Sequence, residues 1–164
     1  MYDILTLHAF VSQFYRDRVT PQGVDKQLWI DGYGYLVTFS AFNQNAGNAT
    51  QNLAINANAD FWITRMSFAW SGSTAFQGTL QVTDNGSARP FYNVPVPLST
   101  VAGLGNGSPG GNLLQLPWPK FLNANTTLSV NLVGTLGSDN SGNMQIMFDG
   151  VSVKQFGPVA QRQE

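Results

Sequence analysis

The residues that could carry out acid–base or nucleophilic chemistry are few. His8 is the only histidine, so a Ser-His-Asp triad would have to be built around it. Four aspartates, Asp60, Asp84, Asp139 and Asp149, could in principle pair as the two carboxylates of a glycosidase. Each lies at a predicted turn or strand end, where Asp is common because its carboxylate accepts hydrogen bonds from local backbone amides. We therefore predict no catalytic residues and no enzymatic activity.

Metal and cofactor motifs are equally weak. The run 139–143 (DNSGN) has the composition of a calcium loop but lacks the acidic spacing and the closing Glu of an EF-hand, so a hairpin loop explains it. The chain has no cysteine, which removes disulfides and cysteine-ligated zinc. The glycines of 103–111 do not open a helix, as those of a phosphate loop do. The sequence predicts no metal and no cofactor.

Charge is sparse and balanced. Lys and Arg number 8 against 9 Asp and Glu, and charged residues make up 10% of the chain against an average of about a quarter. Nucleic acid and anionic membranes are poor partners for such a surface. No apolar stretch is long enough to span a membrane, and Asp3 stands where a secretion signal would have a basic residue. These features predict synthesis in the cytoplasm and a surface rich in Asn, Gln, Ser, Thr and Gly.

The elements that must position these residues begin with an N-terminal arm, residues 1–28. Ile4, Leu7, Val11 and Phe14 recur at three- and four-residue steps, which predicts a short helix ending before residue 20. Two interpretations follow. The arm packs on its own domain, or it reaches a neighbouring subunit, in which case removing residues 1–20 would leave a folded domain.

From residue 29 to 156 the apolar period is two, which predicts an all-β domain followed by a tail at 157–164. Eight strands separated by turn-rich loops favour an antiparallel two-sheet β-sandwich, with a jelly roll as the preferred topology. In the strand 61–70, Phe61 and Ile63 are predicted on one face and Trp62, Met66, Phe68 and Trp70 on the other. Two apolar faces predict a central strand. The eight predicted strands are 33–42, 50–56, 61–70, 78–84, 91–94, 113–116, 126–136 and 144–156.

The aromatic residues allow two interpretations. On a β-sandwich such residues can form a sugar-stacking platform, but more often they are core or subunit interface. The residues concerned are Trp29, Trp62, Trp70 and Trp118, with Tyr33, Tyr35 and Tyr92. Trp118, held between Pro117 and Pro119, is the side chain most expected to be exposed. We predict a partner interface made of Ile4, Leu7, Phe10, Val11, Phe14 and Trp118.

Several turn and strand-edge segments resemble the small capsid decoration, or cement, proteins of tailed bacteriophages. The resemblance covers roughly residues 45–156. The segments that carry it are Asn58-Ala59-Asp60-Phe61, Asp84-Asn85-Gly86-Ser87-Ala88-Arg89, Pro95-Val96-Pro97, Leu116-Pro117, Leu122-Asn123-Ala124-Asn125-Thr126-Thr127-Leu128 and Phe148-Asp149-Gly150.

The resemblance implies a jelly-roll-like domain on the outside of a virus head that bridges major capsid protein subunits and forms trimers or dimers. It brings no catalytic residues. The alternative left open by the residues is a receptor- or glycan-binding module of a phage fibre or spike. A cement protein needs adhesive apolar segments at its edges, whereas a glycan binder needs exposed aromatic residues clustered with acids.

Overall fold

The computed structural model describes residues 4–19, 28–45, 47–102 and 114–155. Helix α1 precedes a run of strands, and a short helix α2 lies between the sixth and seventh of them. The elements are α1 Ile4–Val19, β1 Leu28–Asn43, β2 Asn48–Ala54, β3 Asp60–Trp70, β4 Gly78–Asp84, β5 Arg89–Pro90, β6 Val96–Pro97, α2 Leu98–Ala102, β7 Leu114–Leu122, β8 Thr127–Gly134 and β9 Ser141–Gln155.

The strands form two antiparallel sheets. The front sheet has the order β1-β9-β3-β7, and the back sheet has the order β2-β8-β4-β5, with β6 also paired to β4. The predicted antiparallel two-sheet β-sandwich is confirmed. Strand β9 is central, because it pairs with β1 on one side and with β3 on the other.

The main core lies between the inner faces of the two sheets. In β8 the even positions Leu128, Val130 and Leu132 are fully buried, while their odd neighbours are only partly covered. They meet Ile146 and Phe148 of β9 in one continuous cluster. Burying a side chain of this size stabilises the fold by about 1.5–3 kcal/mol. The burial of these alternating side chains is therefore the main source of stability.

Strand β3 departs from strict alternation at Thr64. The pairing with β9 shifts between Ile63 and Arg65, so that Thr64 is an extra residue whose hydroxyl donates to the Asp149 carbonyl at 3.2 Å. Beyond this bulge Met66 lies in the same core as Ile63. The prediction that Met66, Phe68 and Trp70 lie on the face of Trp62 is therefore wrong, because the inserted residue reverses which positions face inward. The prediction of an internal strand is correct.

Helix α1 covers the outer face of the front sheet. Val11 and Tyr15 are buried against Trp62 and Val153. The phenol of Tyr15 donates a hydrogen bond to the Asp60 carboxylate at 2.6 Å, and this carboxylate also accepts the Ala124 amide at 2.7 Å. A polar anchor thus fixes the helix to the start of β3.

The anchor should be visible in the pH dependence of stability. Burial, reinforced by the Asp60 carboxylate, raises the pKa of Tyr15 well above its ordinary value. A phenol with a raised folded pKa contributes stability that is complete below the unfolded pKa of about 10 and is lost as pH rises above it. Tyr15→Phe should lower the free energy of unfolding by about 1.5–3 kcal/mol at pH 7, and the deficit relative to wild type should shrink above pH ~10.

Urea denaturation of both proteins at neutral and alkaline pH measures this difference. The raised pKa values of Tyr35 and Tyr92 affect both proteins alike and cancel in the comparison. A deficit that is the same at both pH values would contradict the proposed anchor.

Two strand predictions need correction. Residues 91–94 are bends rather than a strand, flanked by the two-residue strands β5 and β6 that pair with β4. Strand β7 does not stop at residue 116 but continues through Trp118 to Leu122, because it re-forms its pairing with β3 after both prolines. The glycine-rich segment 103–111 and the predicted tail at 157–164 lie outside the described residues.

Candidate functional site

The most exposed large apolar side chain of the described residues is Trp118, with 76% of its surface accessible. It lies on β7, an edge strand of the front sheet. Residues 116–119 of β7 stand opposite the single residue Thr64 of β3, so β7 bulges outward there. Pro119 cannot donate to the sheet, and an edge strand is where a sheet tolerates proline. The bulge turns Leu116 into the core and Trp118 outward, which confirms the predicted exposure of Trp118.

An apolar cleft of about 90 Å³ lies between this bulge and the flank of α1. Trp118 and Pro119 form one wall, and Thr6, Leu7 and Phe10 form the other. Phe10 is 47% exposed. We call this surface, made of Leu7, Phe10, Trp118 and Pro119, the Trp118 patch.

The patch brings together three of the predicted interface residues, Leu7, Phe10 and Trp118. Val11 and Phe14 lie elsewhere: Val11 is fully buried and Phe14 stacks edge-on against Trp62 with ring centroids 4.8 Å apart. The interpretation that the arm packs on its own domain therefore holds for these two, since the outer face of the front sheet offers them an apolar surface. The side chain of Ile4 lies outside the described residues. The partner role of the exposed residues stays a prediction.

The carboxylate of Asp84, one of the four candidate catalytic residues, has a structural role. Asp84 is buried and accepts hydrogen bonds from the Gly86 amide at 3.0 Å, the Thr126 hydroxyl at 2.7 Å and the Ser87 hydroxyl at 2.6 Å. Burial alone would raise the pKa of Asp84, but these hydrogen bonds outweigh it and hold the pKa below its ordinary value. Asp84 is thus an ionised turn cap, as its position in the sequence predicts.

The loop that joins β8 to β9 is hydrogen-bonded to two other loops, the one after β1 and the one after β3. Asp139 accepts hydrogen bonds from the side-chain amides of Asn43 and Asn45, both at 3.0 Å, and these two bonds lower the pKa of Asp139. Asn140 is buried and accepts the Ser73 amide at 3.0 Å. These bonds give Asp139 and Asn140 a structural role in this loop.

His8 lies on the exposed side of α1, where its Nδ1 is 3.5 Å from the Ser12 hydroxyl. That distance is at the outer limit for a hydrogen bond, and the spacing of four residues is that of neighbours on one helix face. Within residues 4–19, 28–45, 47–102 and 114–155, no three His, Cys, Asp or Glu side chains converge as metal ligands would. In the same ranges, no helix is long and apolar enough to cross a membrane.

A second surface carries three of the aromatic residues considered for a sugar-stacking platform, Trp29, Tyr33 and Tyr35. The paired ends of β1 and β9 form a ribbon, and its core-side face carries Trp29, Asp31 and Tyr33 at alternate positions, in step with Tyr35 and Val37 of the core. Trp29 is 56% exposed and Tyr33 is 50% exposed. The signal was present as the period-two spacing of these three residues, but the predicted strand began only at Tyr33.

The similarity of this chain to known proteins lies in solved structures. No family model matches it, and no curated protein matches it. Solved structures do show similarity. A chain in the structure of infectious bursal disease virus, Gx strain, is 13% identical with a TM-score of 0.32, over 84% of this chain and 38% of that chain.

Two further structures give the same result. For the Gt strain of the virus the identity is 12% and the TM-score 0.30, over 82% of this chain. For the crystal structure of the infectious bursal disease virus VP2 subviral particle they are 11% and 0.29, over 81%. All three are structures of a virus or a subviral particle. This chain spans 38% of the length of each of these three chains.

Proposed function

We propose that this protein is a structural component of a virion that decorates or cements a bacteriophage capsid by bridging major capsid protein subunits. The observation that carries the proposal is the Trp118 patch, in which exposed Trp118 and Phe10 flank one apolar cleft. Tryptophans that fill a partner's pocket are among the residues that contribute most to binding. The proposal includes a place on the outer surface of the capsid, assembly in the host cytoplasm, and no catalytic role.

The surroundings of the patch support contact through side chains rather than through strand addition. Two prolines interrupt the edge strand β7 on either side of Trp118, so an incoming strand would find missing backbone donors there. The net charge of −1 also limits long-range attraction or repulsion between copies on a crowded shell. Self-association as a trimer or dimer is part of the proposal, since a protein that bridges subunits gains binding strength from several simultaneous contacts.

The test is Trp118→Ala in co-sedimentation with capsids assembled from the major capsid protein of the same virus. We expect the variant to bind at least about tenfold more weakly, because a buried interfacial Trp is worth about 2 kcal/mol or more. The fold should be unchanged, since Trp118 lies outside both apolar clusters.

Val94→Ala is the matched control. Val94 is 55% exposed, lies on a bend between β5 and β6 and does not line the cleft of the patch. It should co-sediment like wild type. Wild-type protein that does not co-sediment, or Trp118→Ala protein that binds as tightly as wild type, would refute the proposal.

A further inference from the structure

The ribbon of β1 and β9 forms one wall of a polar cleft of about 340 Å³. Small-molecule sites have volumes of about 300–1,000 Å³, so this cleft is at the lower end of that range. The lining residues come from β1, β9 and the loop between β2 and β3. They are Asp31, Gly32, Tyr33, Tyr35, Asn56, Ser152 and Lys154.

We propose that this cleft binds a neutral carbohydrate, a mono- or disaccharide unit of a glycan. This goes beyond a role in the capsid, because it assigns a ligand to a different surface. The first argument is the aromatic content. Tyr33 exposes half of its surface at the cleft, and Trp29 continues the same face of β1 beyond it. Flat exposed rings offer the apolar C–H face of a sugar a stacking surface while its hydroxyls remain free for hydrogen bonds.

The second argument is that the rings are held in place. Tyr33 and Tyr35 meet edge-on with centroids 4.9 Å apart, and Tyr35 meets Phe61 of the core at 4.8 Å. The Tyr35 hydroxyl accepts the Asn56 amide at 2.9 Å. The indole N–H of Trp29 donates to the Asp31 carboxylate. A site whose rings are already fixed loses little side-chain entropy when a ligand binds.

The third argument is the mixture of polar groups. Across the ribbon Trp29 is paired with Lys154 and Asp31 with Ser152, so a carboxylate, an ammonium group and a hydroxyl lie within one or two strand positions. Sugar hydroxyls both donate and accept hydrogen bonds, and this set provides partners for both roles. A ligand with a single net charge would meet one attractive and one repulsive group, which favours a neutral sugar over an acidic one.

The test is binding of the full-length protein to a printed array of neutral and sialylated oligosaccharides, followed by calorimetric titration with the neutral glycans that bind. We expect selective retention of neutral glycans. Tyr33→Ala should weaken binding by about tenfold or more, because it removes a stacking face. Asp31→Asn should weaken binding several-fold, because it replaces a charged acceptor with a neutral one.

Leu36→Ala is the matched control for Tyr33→Ala. Leu36 lies on the same strand, is 52% exposed and faces away from the core side that holds Tyr35 and Val37. It should bind glycans like wild type, and circular dichroism should show all variants folded. An array that retains nothing, one that retains only sialylated glycans, or binding that survives Tyr33→Ala would each overturn the proposal. Capsid co-sedimentation is a separate readout, so the two proposals can fail independently.

Discussion

Gly150→Ala is expected to destabilise the protein by more than about 4 kcal/mol. Single substitutions cause losses of this size only through severe steric or polar defects. Gly150 lies in the middle of β9, between Tyr33 of β1 and Ile63 of β3. A Cβ atom there would stand 1.8 Å from the Trp62 carbonyl oxygen and 2.8 Å from its carbon. Because both are backbone atoms, no side-chain rotation can relieve the overlap, and β3 would have to move away from β9.

Gly32→Ala provides the matched control. Gly32 is also a strand glycine, paired with Val151 on the same ribbon, and a Cβ atom built on it meets nothing within 4 Å. This variant should be within about 0.5 kcal/mol of wild type, as is usual for surface substitutions. Urea denaturation of both variants measures the contrast. Equal stability of the two would show that β3 can move away from Gly150 at little cost.

The extra residue at Thr64, next to the Ile63 that pairs with Gly150, shows a limit of sequence-based prediction for this fold. The alternation of apolar residues was enough to predict most of the strands and the two-sheet class. In β8, for example, Leu128, Val130 and Leu132 face the core at every second position. Alternation could not reveal the extra residue at Thr64, because a single inserted residue does not change the composition of the strand. The faces of Met66 and Phe68 were therefore reversed, although their burial was anticipated.

The candidate sites show the same division between local and long-range information. The exposure of Trp118 followed from its two flanking prolines, which are local. The side of α1 that faces the sheet depends on where Trp62 and Val153 emerge on the outer face, which only the register of β3 and β9 determines. The sequence could thus predict a helix with an apolar stripe but could not say what the stripe covers.

Helix α1 is expected to be indispensable for folding, contrary to the interpretation that removing residues 1–20 leaves a folded domain. Val11 is fully buried against the front sheet, and Tyr15 is buried beside it. Each such side chain contributes about 1.5–3 kcal/mol when buried. Losing the burial of both side chains would remove a large part of the total stability of about 5–15 kcal/mol that is typical of a domain. Removing the helix would also expose the indole of Trp62.

Val11→Asp tests this dependence without shortening the chain. A carboxylate at a fully buried apolar position must be desolvated with no cation provided for it, at a cost of several kcal/mol. We expect the variant to be unfolded or aggregated at 25 °C, as judged by near-ultraviolet circular dichroism and sedimentation velocity. Ala9→Asp adds the same charge and side chain to an exposed position of the same helix, so it should remain folded and monodisperse. A folded, soluble Val11→Asp protein would mean that α1 can leave the sheet freely, and the arm would then be available to reach a neighbouring subunit.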